Sequence, residues 1–267
     1  MEIVLYLFAL VLGLVIGSFL NVVILRHGTG WGLDGRSKCL SCGNKLTWVE
    51  LIPVVSYLIQ GGQCKKCHSK ISIQYPIIEL LTALLFVGVT ITEISEASLY
   101  SFGGFIHLIL VWSIVSLLVA IFVYDFKHKI IPDEFVFTFI ILSGISLVGI
   151  IFDSGMTEFM IRVLHGIYSG GLLFMLFWLL WFLSKGKLLG FGDAKLVFGF
   201  GLWLGLPGAS FAVASAFIIG AVVGLVLIGV SQNRLLSRRF PMFTLKSEIP
   251  FAPFLILGAF ISYFNIF

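Results

Sequence analysis

The chain has 267 residues, of which 59% are hydrophobic and only 11% are charged, and its mean hydropathy is +1.11. Soluble globular domains carry about 25% charged residues, so this composition excludes a soluble enzyme. The 27 phenylalanines exclude a disordered chain. At roughly 20 residues per crossing, the apolar stretches predict an all-α, polytopic membrane protein with about eight transmembrane helices.

Eight apolar stretches, separated by breakers and charges, are the predicted spans. The sixth stretch is short and rich in glycine, and Pro207 ends it. Two geometries are open for it: extension back toward Gly190, or a re-entrant segment. The predicted spans are Ile3–Leu25, Ile73–Thr92, Phe105–Tyr124, Phe135–Phe152, His165–Leu183, Leu196–Leu206, Ser210–Val230 and Pro250–Phe267.

Lysine and arginine concentrate in alternate loops between these spans. Sixteen of the 17 basic residues lie in such loops, and only Arg162 lies in an opposite loop, 153–164. Because basic residues favour cytoplasmic loops, the bias predicts that both termini lie outside and the basic loops inside. The net charge of +4 is a topology signal and a contact for anionic lipid, so no nucleic-acid partner is expected. The basic loops are 26–72, 125–134, 184–195 and 231–249.

All four cysteines lie in the long loop 26–72 as two CxxC pairs separated by 21 residues. Two such pairs at this spacing are typical of a tetrahedral zinc site. A loop of this length buries little core, so a bound metal would support its folding, and four protein ligands leave no open position for chemistry. The pairs are Cys39 with Cys42 and Cys64 with Cys67, and the glycines at the expected turns are Gly43, Gly61 and Gly62.

Three other uses of these cysteines compete with zinc. Disulfides need an oxidising compartment, whereas the charge bias places the loop in the reducing cytoplasm. The CxxCH pattern that ends at His68 matches covalent haem attachment, but it leaves Cys39 and Cys42 unexplained. An iron–sulfur centre is the third alternative. Zinc is the favoured metal because two CxxC pairs at this spacing are typical of a structural zinc site.

Three acidic residues, Glu79, Asp125 and Asp193, lie in or beside the spans, where an ionisable group is costly and is a functional candidate. The charge count places Asp125 and Asp193 on the same, cytoplasmic, side. Two carboxylates on one face can share a proton, so that one activates water and the other protonates the substrate. The glycines before Asp193 would allow a helix or an extended substrate to approach closely. The alternative for each aspartate is a helix cap or an ion pair with a nearby lysine.

The Gly-x-Gly-Asp motif at 190–193, with an earlier aspartate at a membrane edge, resembles the GxGD class of intramembrane aspartic proteases. Further motifs, in order along essentially the whole chain, resemble those of the bacterial type IV prepilin peptidases. Each motif alone is weak, but the combination is specific. The matching segments are Gly17–Val23, the paired CxxC loop, Tyr75–Thr82, Asp125 with Ile131–Asp133, Gly190–Leu196 and Pro250–Pro253.

This resemblance implies a bifunctional enzyme of the bacterial plasma membrane. It would cut the leader from prepilin or pseudopilin precursors at the cytoplasmic face and then methylate the new amino group with S-adenosylmethionine. The family's catalytic aspartates match Asp125 and Asp193, and its zinc ligands match the four cysteines. The resemblance also implies three parts: the first helix at 1–25, the zinc-binding loop at 26–72, associated with methylation, and a seven-helix peptidase domain at 73–267.

Two further acids and one glycine motif have weaker assignments. Glu79 is a candidate for the second activity or for a cofactor or substrate contact, and equally for a buried structural acid. Asp133 is chiefly a cap after Pro132, with a catalytic support role as the alternative. Gly13–Gly17 is expected to pack helices rather than to bind a cofactor.

Other function classes remain open at this point. A preflagellin-type peptidase without methylation is the nearest. A transporter would explain intramembrane acids and a glycine-broken helix, but it predicts inverted repeats, and the cysteine loop has no counterpart after residue 135. A membrane redox carrier would explain only the CxxCH pattern.

Overall fold

The computed structural model describes residues 2–30, 32–95, 102–148, 150–232 and 250–264. Over these ranges the regular secondary structure is helical, and the only β-structure is two isolated bridges. The all-α prediction is therefore confirmed. From residue 233 onward, the predicted basic loop 231–249 lies outside the described residues. The helices are α1 (Glu2–Arg26), α2 (Val55–Ile59), α3 (Gln74–Ser95), α4 (Phe102–His128), α5 (Asp133–Val148), α6 (Ile150–Ser184), α7 (Phe191–Gln232) and α8 (Ala252–Tyr263).

Among the described residues, five helices are long and apolar enough to cross a bilayer. Two more apolar helices are shorter: α5 has 16 residues and α8 has 12. The protein is therefore a multi-pass membrane protein, although these lengths do not establish the predicted count of eight. By length and composition, the five candidate segments are Glu2–Arg26, Gln74–Ile94, Gly103–His128, Met156–Ser184 and Phe191–Gly229.

The predicted sixth and seventh spans form one element, α7, that is interrupted at Gly205. Gly205 has φ 66° and ψ −179°, a combination that is essentially restricted to glycine. Pro207 follows and has no N–H with which to continue the helical hydrogen bonds. The interruption lies two residues before Pro207, where the sequence predicts that the sixth span ends.

Contacts beside Gly205 place both flanks of the interruption at the C-terminal end of α8. The Trp203 ring stacks on Tyr263 with centroids 5.0 Å apart. On the other flank, the Ser262 hydroxyl donates to the carbonyl oxygen of Gly208 at 2.9 Å.

The two halves of α7 also contact the same part of α6. Phe191, in the first half, lies 5.2 Å from the Trp181 ring, and Phe217, in the second half, lies 6.3 Å from Phe177. Trp181 and Phe177 are one helical turn apart. The chain therefore reverses at the interruption, and α7 is a helical hairpin.

The loop predicted at 153–164 is helical, so that prediction was wrong. These residues belong to α6, and the Arg162 guanidinium lies 3.2 Å from the Glu158 carboxylate one turn earlier. Opposite charges four residues apart support a helix instead of breaking it. The remaining side chains of this stretch are mostly apolar, so the helix continues into the spanning part of α6.

The described chain divides into two compact units, residues 1–120 and 121–267, with the boundary inside α4. In the first unit, α1 packs on α3 through glycines: a Cβ on Gly13 would lie 2.6 Å from the Cα of Ala83, and one on Gly17 would lie 2.7 Å from the Cα of Glu79. The predicted packing role of Gly13–Gly17 is therefore confirmed. In the second unit, α7 packs on α5, α6 and α8.

Candidate active site and metal centre

The two CxxC pairs form matching turns, which we call knuckle 1 (residues 38–45) and knuckle 2 (residues 63–70). An antiparallel bridge closes each one, between Lys38 and Lys45 in knuckle 1 and between Gln63 and Lys70 in knuckle 2. In each, the first cysteine accepts a backbone bond at 2.9 Å from the residue four positions later. That residue has a left-handed conformation in both: Gly43 (φ 69°) and His68 (φ 57°).

The predicted turn glycines Gly43, Gly61 and Gly62 all have positive φ, as expected. His68 matches Gly43 in position and backbone conformation, so the CxxCH pattern has a structural explanation as a knuckle turn. The haem interpretation therefore loses its main support.

The four sulfurs converge, and all lie within 4.8 Å of one another. The Sγ atoms of Cys39 and Cys67 are 3.8 Å apart. A tetrahedral site with metal–sulfur bonds of about 2.3 Å has sulfur–sulfur edges of about 3.8 Å. The cysteine cluster, Cys39, Cys42, Cys64 and Cys67, therefore fits a four-coordinate metal ion.

The thiols of the cluster differ in acidity. The pKa of Cys39 is lowered to about 6, because the backbone N–H of Cys42 and the Ser69 hydroxyl donate to its sulfur. The hydroxyl and backbone N–H of Ser69 also lower the pKa of Cys67. At Cys42 the backbone N–H of Asn44 lowers the pKa, but desolvation and the sulfurs of Cys67 and Cys39 raise it to about 11. Four thiolates this close repel one another, so the cluster suits a cation.

Asp125 lies in the last turn of α4, and its side chain is buried, with 4% of the residue exposed. The backbone N–H of Ala252, at the start of α8, donates to its carboxylate. Among the residues that the structure describes, none donates a hydrogen bond to its buried Oδ2 atom. A buried carboxylate oxygen in this state is available to a proton, a water molecule or a substrate group.

Asp193 lies in the first turn of α7 and is 5% exposed. Its Oδ2 accepts the backbone N–H of Gly190 at 3.0 Å. Its carboxylate is close enough to that of Asp125 for the two to interact electrostatically. The fold thus brings together two acids that are 68 positions apart in the sequence.

Gly192 allows this approach. A Cβ at this position would lie 3.0 Å from the Cβ of Ile131, in the turn between α4 and α5. The close approach predicted for the glycines before Asp193 occurs at Gly192, but the neighbour is a turn and not a helix or a substrate.

Asp133 is the first residue of α5, directly after Pro132, and it forms an ion pair; its role as a cap stays a prediction. Its Oδ1 accepts from the Lys195 ammonium at 2.5 Å. Lys195 also lies over the rings of Phe191 (4.9 Å) and Phe137 (5.5 Å). This pair joins the start of α5 to the start of α7, two residues beyond Asp193.

Glu79 lies in the first unit, on α3. It is buried in the second turn of α3, where the backbone N–H of Val54 donates to Oε2 at 2.7 Å and the Ser18 hydroxyl donates to the same carboxylate. The carboxylate therefore holds the loop at Val54 against the start of α3.

Two participants were not predicted from the sequence. The segment Pro250–Pro253 was noted as a motif, but nothing in it indicated that the Ala252 N–H binds Asp125. The proline after Ala252 signals only that a helix begins there. For Val54, whose N–H binds Glu79, the sequence carries no signal at all.

Two family models match the chain. The N-terminal domain of bacterial peptidase A24 matches residues 11–92, which include the cysteine cluster and Glu79. The type IV leader peptidase family matches residues 112–225, which include Asp125 and Asp193.

Curated relatives match over most of the chain. A prepilin leader peptidase/N-methyltransferase of Myxococcus xanthus is 37% identical over 83% of this chain, although the match spans only 62% of that relative. Proteins of the same name from Xanthomonas campestris and Aeromonas hydrophila are 31% and 30% identical over 95% and 93% of this chain, and over 88% and 87% of their own lengths. No solved structure matches the chain significantly. With relatives this similar over nearly their whole length, the chain belongs to the prepilin leader peptidase/N-methyltransferase family.

Proposed function

We propose that this protein cuts the leader peptide from prepilin-type precursors and then N-methylates the new N-terminal residue. Membership of the family supports both activities. The observation that carries the peptidase half is the burial of Asp125 and Asp193 side by side, with one oxygen of Asp125 free to take a proton or a water molecule.

The two carboxylates act as a dyad that shares one proton. One carboxylate activates water, and the other protonates the tetrahedral intermediate or the departing amine. Backbone donors from Ala252 and Gly190 hold the two groups in place, which supplies the orientation that such a site needs.

The decisive experiment compares Asp125→Asn and Asp193→Asn with wild type on a purified precursor. Each variant is expected to lose cleavage by at least about a hundredfold, because an amide can neither share the proton nor activate water. Glu158→Gln is the matched control, because Glu158 is an exposed acid of the same unit. This variant should cleave the precursor at the wild-type rate. Cleavage by either aspartate variant at the wild-type rate would overturn the dyad.

The methylating half uses S-adenosylmethionine, which the name of the relatives supports through its methyltransferase part. Glu79 is the candidate cofactor contact, because it is a buried acid of the matched N-terminal domain and S-adenosylmethionine is a cation. Glu79→Gln is expected to lower methyl transfer to a pre-cleaved precursor and to leave cleavage intact. Loss of both activities together would instead indicate a structural acid.

The ion of the cysteine cluster is Zn²⁺, and its role is structural. Four thiols with one mutual edge at 3.8 Å support this assignment. The protein lies in the bacterial inner membrane with eight spans, both termini outside, and the cluster and aspartates on the cytoplasmic side. The charge bias supports this topology, and so does the reversal at Gly205, which separates the segments predicted as the sixth and seventh spans.

A further inference from the structure

The residues between the two knuckles, 47–62, which we call the inter-knuckle segment, expose apolar side chains. Trp48 is 76% exposed, and Leu58 and Ile59 are each 70% exposed. In α2, the apolar residues Val55, Leu58 and Ile59 share one face by their spacing, and all three are exposed.

The other face of α2 is turned toward the last residues of the segment itself, just before knuckle 2. Tyr57 packs against Gly62, since a Cβ on Gly62 would lie 3.0 Å from the Tyr57 hydroxyl, and the Gly62 N–H donates to the carbonyl oxygen of Tyr57. The helix therefore directs a polar-tipped side chain inward and aliphatic side chains outward. A helix that faces water shows the reverse arrangement.

The depth of this segment follows from its bond to Glu79. Val54 donates its N–H to a carboxylate five residues into the span that begins at Gln74. At a rise of 1.5 Å per residue, Val54 lies about 7 to 8 Å along α3 from the start of that span. Amphipathic helices at a membrane surface bury their apolar faces about 5–10 Å into the interface. The bond therefore holds Val54 within two helical turns of the start of this candidate span, a distance that matches the depth of interfacial helices.

Its backbone is also constrained there. Val54 has φ 59° and ψ −50°, and the Val55 N–H bonds to the carbonyl oxygen of Pro53 at 2.5 Å, which defines a tight three-residue turn. A β-branched residue is rarely found in this conformation. The hydrogen bond to Glu79 stabilises this conformation of Val54, and the tight turn sets the orientation of α2.

Charge separates the segment from the knuckles on either side. Its 16 residues include one charged side chain, Glu50, whereas the knuckles carry five lysines. An apolar stretch containing an exposed tryptophan, flanked by basic residues, has the composition of a segment at an anionic membrane surface. The lysines are Lys38, Lys45, Lys65, Lys66 and Lys70.

We propose that the inter-knuckle segment is a membrane-interface anchor that inserts the apolar face of α2 between lipid headgroups. The anchor sets the height of the cysteine cluster above the bilayer, because the two knuckles flank it on both sides. The proposed anchor requires only that this unit lies beside a membrane, so its test is independent of the proposed peptidase activity.

The test places the photo-crosslinking residue p-benzoylphenylalanine at Leu58 or at Ile59 in the full-length protein. The protein is reconstituted in nanodiscs of phosphatidylethanolamine and phosphatidylglycerol, irradiated, and analysed for lipid adducts by mass spectrometry. Leu40 is the matched control, because it is an equally exposed leucine (76%) at the tip of knuckle 1. Two neighbouring positions are used in case one replacement prevents folding. A single symmetric peak in size-exclusion chromatography shows that a variant has folded.

Adduct yields at Leu58 or Ile59 at least about tenfold above the yield at Leu40 are expected, since burial of one aliphatic side chain favours the lipid side by that order. Equal yields at all three positions would overturn the anchor. So would crosslinks from Leu58 and Ile59 to a second copy, or to an added precursor, in place of lipid, because the apolar face would then be a protein-binding surface.

Discussion

Asp125 and Asp193 differ in whether the position in its helix explains the presence of the carboxylate. Asp193 lies in the first turn of α7 and accepts a backbone N–H, which is where a carboxylate stabilises a helix. Asp125 lies in the last turn of α4, where the helix dipole opposes a negative charge, and one of its oxygens is buried with no partner in the described part of the chain. Asp125 therefore contributes little to the stability of its helix, so a catalytic role explains its burial better than it explains that of Asp193.

Gly192 is the neighbour of the dyad that tolerates least change. A valine there would place its side chain against Ile131, and forced overpacking of this kind costs about 1–3 kcal/mol. Because the displaced element carries Asp193, Gly192→Val is expected to lower precursor cleavage by at least about tenfold, measured by gel shift with purified protein.

The matched control is Gly171→Val, because a Cβ at Gly171 in α6 would have no atom within 4 Å, and cleavage should stay near the wild-type rate. Adding Ile131→Ala to Gly192→Val should restore part of the activity. An unchanged rate for Gly192→Val would show that the contact with Ile131 does not position Asp193.

At the scale of elements, the two knuckles are near copies of one turn. Each has a closing bridge, a left-handed residue after its second cysteine and equivalent backbone bonds. Because the ligands are divided equally, neither knuckle can hold a four-coordinate ion alone.

Cys39→Ser and Cys64→Ser, one in each knuckle, are therefore expected to have the same effect. Wild type should contain about one Zn²⁺ per chain by inductively coupled plasma mass spectrometry, and both variants should lose most of it, with a lower melting temperature. Leu40→Ser, between two ligands on the exposed tip, is the control and should keep its metal. Iron in place of zinc, or full zinc retention in either variant, would contradict a structural zinc site.

The hairpin in α7 shows how one residue directs an element. An uninterrupted helix of 42 residues would be about 63 Å long, twice the thickness of a bilayer core. The positive φ of Gly205 turns the chain instead, so that Trp203 and Gly208 lie at the same end of α8.

For the whole molecule, the charge bias predicts an even number of crossings. Alkaline phosphatase, which is active only outside the cytoplasm, reports the side of each loop. Fusions after Lys187 and after Lys246 are expected to be inactive, and fusions after Gly205 and after Phe267 to be active, because basic loops are retained inside.

The fusion after Gly205 is the critical member of this series. If α7 enters the membrane and returns without crossing, that fusion will be inactive, and the sixth and seventh predicted spans will not be separate crossings. The fusion after Lys187 differs from it by only 18 positions and serves as the internal control.

The sequence by itself determined the class of the protein, the cysteine cluster and the identity of the buried acids. Apolar stretches that must satisfy their backbone in lipid can only be helices, and paired CxxC motifs act through local turns, so both are encoded at short range. The loop predicted at 153–164 is wrong for a short-range reason as well: charged residues usually interrupt a span, but one-turn spacing lets Glu158 and Arg162 pair on a helix.

Only the tertiary structure decided which groups meet. The approach of Asp193 to Asp125, the Ala252 N–H at the dyad, and the bond from Val54 to Glu79 each join residues that are at least 25 positions apart. Such contacts depend on how helices pack and where glycines such as Gly192 and Gly205 allow close approach or reversal. Hydrophobic patterning specifies which helices form, but not which side chains they bring together.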